Sequence, residues 1–164
     1  MSRIEHPIPP LYDKDSKILV LGSFPSVKSR EGQFFYHHPQ NRFWKVISSV
    51  YGVPLPADIE EKRSMLKSCR IAVWDVIQSC EITGSSDSSI KNVIANDLSA
   101  ILNTADIRQI FCNGNTSHKL YMKYIFPATG IKAVRLPSTS PANAGSGLEQ
   151  LIGAWSVIRE YTEG

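Results

Sequence analysis

Residues 22–45 read GSFPSVKSREGQFFYHHPQNRFWK and gather Phe24, Phe34, Phe35, Tyr36, adjacent histidines His37 and His38, and Asn41 into one short stretch. Surface loops ordinarily carry polar turn formers, and exposed aromatic rings forfeit the free energy of burial. The stretch therefore either binds something or folds back into a core. Three other segments, WDVIQS, CNGNTS and LPSTSPANAGSG, are rich in small hydroxyls, amides or glycine. Loops of that kind offer backbone N–H groups and hydroxyls to anionic oxygens. A phosphate grip beside stacking rings suits a nucleotide, or a nucleic-acid base taken out of its stack.

For those loops to meet, the elements between them must converge. Four apolar runs, 17–23, 70–76, 107–113 and 131–137, have the length and continuity of buried parallel strands, and each ends in turn or polar residues. Helical periodicity is clearest over 41–51, where Phe43, Val46, Ile47, Val50 and Tyr51 share a face ahead of Gly52 as a C-terminal stop. Asp58, with Glu61 three residues later, reads as a second helix start. Further helices are expected near 96–104 and 115–126, with a last one over 147–161 burying Leu148, Leu151, Ile152, Trp155 and Ile158. Strands alternating with helices predict an α/β chain with a parallel sheet covered on both faces. In such sheets ligands bind outside the carboxyl ends of the strands, which is where the four polar loops fall. The Ser-rich patch TGSSDSSI, 83–90, reads as a solvated loop.

Length and composition bound the rest. A chain of 164 residues, 42% hydrophobic and 20% charged, predicts one soluble domain spanning 1–164. Its first twenty residues are broken by charges and no apolar run reaches membrane-spanning length, so a cytoplasmic monomer with no membrane partner is expected, nucleoid-associated if the source is prokaryotic. Cys69, Cys80 and Cys112 form no CxxC pair, which predicts buried, reduced thiols and neither a disulfide framework nor a metal site. The net charge of +3 permits a polyanionic partner without requiring one.

In order along the chain, LGSFPS, YHHPQNRFW, VWDVIQSC, FCNG and LPSTSPAN resemble the hypoxanthine-DNA glycosylase (DNA-deoxyinosine glycosylase) family of the uracil-DNA glycosylase superfamily, over roughly residues 15–160. The resemblance implies a three-layer α/β/α domain with a four-stranded parallel sheet. It also implies no metal or cofactor, DNA containing a deaminated base as partner, and hydrolysis of the base–sugar bond. Such chemistry requires a flipped base, stabilisation of the departing base anion and a water at the anomeric carbon.

By the same resemblance, the water-positioning role falls on Asn41, in the segment matching HPxN; the superfamily position that commonly carries Asp or Asn is Phe24 here. A neutral amide orients a water rather than taking its proton. Asn41 is equally a natural helix N-cap, and the two roles are compatible. Tyr36 matches the ring that stacks on the flipped base. Phe24, His38 and Asp75 are the other base-binding candidates, Asp75 because a strand-end carboxylate can accept a base N–H. Ser26, Ser138, Thr139 and Ser140 are the expected DNA-backbone contacts. The last loop departs from uracil-removing relatives at two points. Leu136 stands where they carry a His that stabilises the base anion, and Pro141, Ala142 and Asn143 stand where they carry a bulky wedge. Two other readings remain open at this point: a small serine hydrolase with Ser23 as nucleophile at a strand end, and a non-catalytic binder of damaged DNA.

Overall fold

The computed structural model describes residues 3–163. Its centre is a four-stranded parallel sheet of β2 (Ile18–Gly22), β3 (Ile71–Asp75), β6 (Gln109–Asn113) and β7 (Val134–Leu136), in the order β3-β2-β6-β7. The expected strands are all present, each trimmed by a residue or more at one or both ends. Alternation along β2 explains why both faces must be covered: Ile18 and Val20 pack into one apolar cluster, Leu19 and Leu21 into the other, and all four are fully buried.

The first cluster lies under α2 (Phe43–Tyr51), α3 (Ile59–Cys69), α7 (Leu148–Trp155) and α8 (Ile158–Thr162). Phe43, Val46, Ile47 and Val50 point inward from α2, and burial of each such side chain contributes about 1.5–3 kcal/mol. Gly52 ends α2 in the left-handed conformation, at φ 66°. Asp58 caps α3 by accepting from Glu61 N at 2.8 Å, while Glu61 reaches back to Ala57 N at 3.2 Å, one residue earlier than in a standard capping box. The second cluster lies under α4 (Ser99–Thr104) and α5 (Asn115–Tyr124). The layers are α/β/α, as expected.

Three features differ from the sequence expectation. Residues 115–126 and 147–161 are not single helices: α5 gives way to the short α6 (Phe126–Thr129), where Pro127 sets a new start, and α7 and α8 are separated by a turn at Ser156–Val157. A one-and-a-half-turn helix, α1 (Val27–Gly32), follows the first strand loop, capped by Ser26, whose Oγ accepts from Ser29 N at 3.2 Å. A second sheet, antiparallel, joins β1 (Arg3–Glu5), β4 (Ile77–Glu81) and β5 (Lys91–Ala95) in the order β1-β4-β5. The chain passes from β3 into β4 across the single residue Val76. Buried Asn96 clamps that crossing, its Nδ2 donating to Asp75 O (2.8 Å) and Ile77 O (3.2 Å). Residues 83–90 are the tip of the β4–β5 hairpin, exposed over 83–88 as expected of a solvated loop.

Candidate active site

The carboxyl ends of the parallel strands open into a cleft of about 340 Å³. Gly22 closes β2, Asp75 closes β3, and Asn113 closes β6. Around them stand the loop 23–26, the aromatic stretch at Phe35, Tyr36 and Asn41, the hairpin tip 85–88, and Ser138, Thr139, Ser140 and Ala142 of the last loop. Of the residues expected to act, Phe24, Ser26, Tyr36, Asn41, Asp75, Ser138, Thr139 and Ser140 line this cleft. His38 does not. Its Nδ1 accepts from Gln40 N (3.1 Å) and its carbonyl from Asn41 N (2.9 Å), so its polar groups build the turn that delivers Asn41.

Asn41 is fixed by a network whose polarity has one solution. Thr139 N–H donates to Asn113 Oδ1 (3.0 Å), which turns Asn113 Nδ2 toward Thr139 Oγ1 (3.0 Å). Phe43 N–H, the first amide of α2, must meet an oxygen, so it is Asn41 Oδ1 that faces it at 2.9 Å. Thr139 Oγ1–H then donates to the same Oδ1 at 2.8 Å. Both lone pairs of Oδ1 are used, and Nδ2 is the part of the amide left without a partner among the described residues. Asn41 thus satisfies the helix start and still lines the cleft.

The network also corrects the expectation for Thr139. It is fully buried, and its hydroxyl both accepts and donates inside the protein, so it positions Asn41 rather than meeting a phosphate. Ser26 is similar: its hydroxyl donates to Ser29 Oγ (3.1 Å) while accepting from Ser29 N, and its proton is spent within α1. Ser138 and Ser140 differ. Each hydroxyl accepts a backbone N–H two residues on, from Ser140 and Ala142, both at 3.1 Å, which leaves the O–H free to donate to an anionic oxygen. Arg42 holds the loop they occupy, its guanidinium donating to the carbonyls of Ser140 (3.0 Å), Asn143 (2.9 Å) and Ser146.

Tyr36 sits in the left-handed region at φ 50°, a conformation that costs a non-glycine residue about 1–3 kcal/mol. The cost is met by stacking on Phe43, with ring centroids 4.1 Å apart, and by Trp44 Nε1 donating to Tyr36 O at 3.1 Å. Among the described residues its buried hydroxyl has no hydrogen-bond partner. Burial, and then the charge of Asp75, hold this phenol above its usual range, outweighing the opposing influence of the nearby Asn113 amide. Phe24 lies on the cleft wall, with the Arg30 guanidinium 5.5 Å from its ring centroid.

Ser85, Ser86, Asp87 and Ser88 reach the cleft although their composition suggested only a solvated loop; a polar turn cluster between the two short runs of β4 and β5 was the hairpin signal. Asp87 Oδ1 accepts from Ser23 Oγ at 3.2 Å. Partial enclosure raises the Asp87 pKa, with hydrogen bonds from Ser23 and Thr116 opposing and the Asp75 charge adding to the rise. Among the described residues no imidazole bonds Ser23, so a serine nucleophile has no base. Nor do three His, Cys, Asp or Glu side chains among them cluster as a metal site would need.

A family model of the uracil DNA glycosylase superfamily matches residues 9–158. The chain belongs to that superfamily. It is 31% identical over 140 residues to a hypoxanthine DNA glycosylase of Methanosarcina barkeri, covering 84% of this chain and 87% of the relative. A hypoxanthine DNA glycosylase of Methanosarcina acetivorans is 32% identical over 142 residues, covering 85% and 89%. The solution NMR structure of a Methanosarcina acetivorans protein superposes with a TM-score of 0.81 at 30% identity, over 96% of this chain and 97% of that one. Membership makes this chain a DNA glycosylase whose partner is DNA. In this superfamily member Leu136 is a buried core residue, so no imidazole stands before Pro137.

Proposed function

We propose that the protein hydrolyses the N-glycosidic bond of a deaminated base flipped out of DNA, hypoxanthine foremost, with uracil and xanthine as further candidates, in base excision repair. The observation that carries this reading is Asn41, held by Thr139 and Phe43 so that only its amide nitrogen is free at a cleft walled by aromatic rings. The names of the two Methanosarcina relatives support hypoxanthine as the first substrate to try.

In this mechanism the flipped base stacks on Tyr36 and packs against Phe24, with a base N–H accepted by Asp75. Ser138 and Ser140 hold the backbone phosphate. The bond between C1′ and the base nitrogen breaks with its electron pair going to the base, leaving positive charge on the sugar. Asn41 Nδ2–H donates to a water whose remaining lone pair faces C1′. Because both Oδ1 lone pairs are engaged, Asn41 takes no proton; the oxygen bonds to C1′ and its proton ends on the departing base. Among the described residues no lysine lines the cleft to form an imine with the sugar, which supports a monofunctional reaction. Without an imidazole at Leu136, stabilisation of the base anion falls to the remaining donors, and the rate is modest.

The test is base release from duplex oligonucleotides carrying one hypoxanthine, uracil or xanthine, read by alkali cleavage of the abasic product. Asn41→Ala and Asn41→Ser should both lose activity, by about 10²–10³-fold. Serine retains an acceptor for Phe43 N, so loss in Asn41→Ser with unchanged melting assigns the amide to the water. Release of none of the three bases by the wild type would reject the reading and leave a binder of damaged DNA.

A further inference from the structure

His6 lies outside every motif described above and touches the cleft residue Asp75 from behind. It follows β1, and Nε2 lies 2.7 Å from Asp75 Oδ2, with side-chain exposures of only 3% and 6%. Nδ1 accepts from Ile8 N–H at 3.1 Å, so it carries no proton, and the ring is the Nε2–H tautomer donating to the carboxylate. The ring is wedged edge-on against Phe24 (5.8 Å between centroids) and Trp74 (6.2 Å). Backbone bonds fix the segment, His6 N to Gln78 O (2.7 Å), and Trp74 Nε1 donates to Ile8 O (3.1 Å).

A carboxylate has two oxygens. His6 takes Oδ2, while Oδ1 makes no hydrogen bond among the described residues and belongs to a side chain lining the cleft. Gly22 leaves room for it: a Cβ there would stand 2.4 Å from Oδ1 and 3.3 Å from Tyr36 Oη. Beside it, Tyr36 Oη is buried with no hydrogen-bond partner among the described residues, a second sign that a polar guest completes this floor.

We propose that His6 is a positioning residue for base selection, turning Asp75 so that Oδ1 stands as a bare acceptor toward the lactam N–H of a deaminated base. This rests on the glycosylase reading of the cleft. Deamination replaces the N=C–NH2 edge of adenine or cytosine by N(H)–C=O, so the ring nitrogen changes from lone pair to donor. A fixed carboxylate oxygen accepts from the second and repels the first. The hydrogen bond from His6 holds Asp75 in that one orientation; without it the carboxylate is free to turn away.

The experiment measures binding of the full chain to duplexes identical except for one position, hypoxanthine or adenine, each on a 2′-fluorinated sugar that resists cleavage, by fluorescence anisotropy. Unmodified hypoxanthine duplexes are followed in parallel for base release. In His6→Leu the preference for hypoxanthine over adenine should fall by about 10–100-fold, as when one charge-assisted hydrogen bond is lost, and the release defect should lie in KM more than in kcat. His6→Gln, whose terminal amide reaches about as far as Nε2, should recover most of the preference even if its melting temperature stays low. A folded His6→Leu with wild-type preference overturns the proposal, as does a folded His6→Gln as impaired as His6→Leu. If the wild type releases no base, the glycosylase reading fails, while the binding preference still decides the role of His6.

Discussion

Thr139 Oγ1 donates to Asn41 Oδ1 over 2.8 Å, joining residues 98 positions apart. The bond ties the last loop to the start of α2, and Arg42 N–H donating to Thr139 O at 3.1 Å runs beside it. Thr139→Val keeps the shape and deletes the hydroxyl, leaving Asn113 Nδ2 and half of Asn41 Oδ1 without partners. It should cost about 1–3 kcal/mol of stability and lower base release, whereas Thr139→Ser should stay near wild type. Denaturant titration and single-turnover release of the two variants decide it. A Val variant with full activity would show that Asn41 needs no such support.

Arg42 spends its charge on loop carbonyls rather than on phosphate. Arg42→Gln should therefore weaken DNA binding by freeing the 138–146 loop, while the slope of log affinity against log salt changes by less than about one phosphate's worth. Anisotropy titrations at several salt concentrations measure both quantities. A slope reduced by a full unit or more would instead place the guanidinium on the DNA backbone.

Gly22→Ala would bring a methyl group to within 2.4 Å of Asp75 Oδ1. The backbone has no room to yield, since β2 is flanked on both sides by β3 and β6. The variant should lose about 1–3 kcal/mol through overpacking, and the displaced Asp75 should blur the choice among bases. Melting and relative release rates for hypoxanthine and uracil test the two effects separately.

Burial pushes Cys69 up to about 11 and Cys112 up to about 12, and it pushes Tyr51 up to about 12. Each of these groups holds its proton more tightly when folded. Their contribution to stability is whole below the ordinary thiol value of 9.0, and it drains as pH rises toward the folded values. Unfolding free energy should fall between about pH 9 and about pH 12, and Cys112→Ala should flatten part of that fall. Denaturant titrations across this range check it, and a flat profile would contradict it. At neutral pH the same thiols, buried and uncharged, should resist labelling in the native protein.

The sequence by itself determined the parallel sheet, its two-sided covering and the gathering of the polar loops. Those features rest on local patterns: the apolar runs of β2, β3, β6 and β7, the 3.6-residue period of α2, and the start and stop residues Asp58 and Gly52. The candidates Phe24, Tyr36, Asn41, Asp75, Ser138 and Ser140 were legible from the motifs that carry the family resemblance, and all six line the cleft.

Only the tertiary structure decided which atoms those residues present. Asn41 is left with its nitrogen because Thr139, far away in sequence, claims its oxygen, and Thr139 is withdrawn from DNA by the same bond. His6 pairs with Asp75 through the β1–β4–β5 sheet, whose register, Arg3 opposite Glu81 and Glu5 opposite Ser79, sets the segment beside the site. The strands β1, β4 and β5 mix polar with apolar residues over three to five positions, so they carry neither the continuous apolar run of the parallel strands nor a clear alternation. A hydrogen bond between distant residues leaves no spacing in the chain at all, because it is fixed by packing rather than by sequence separation.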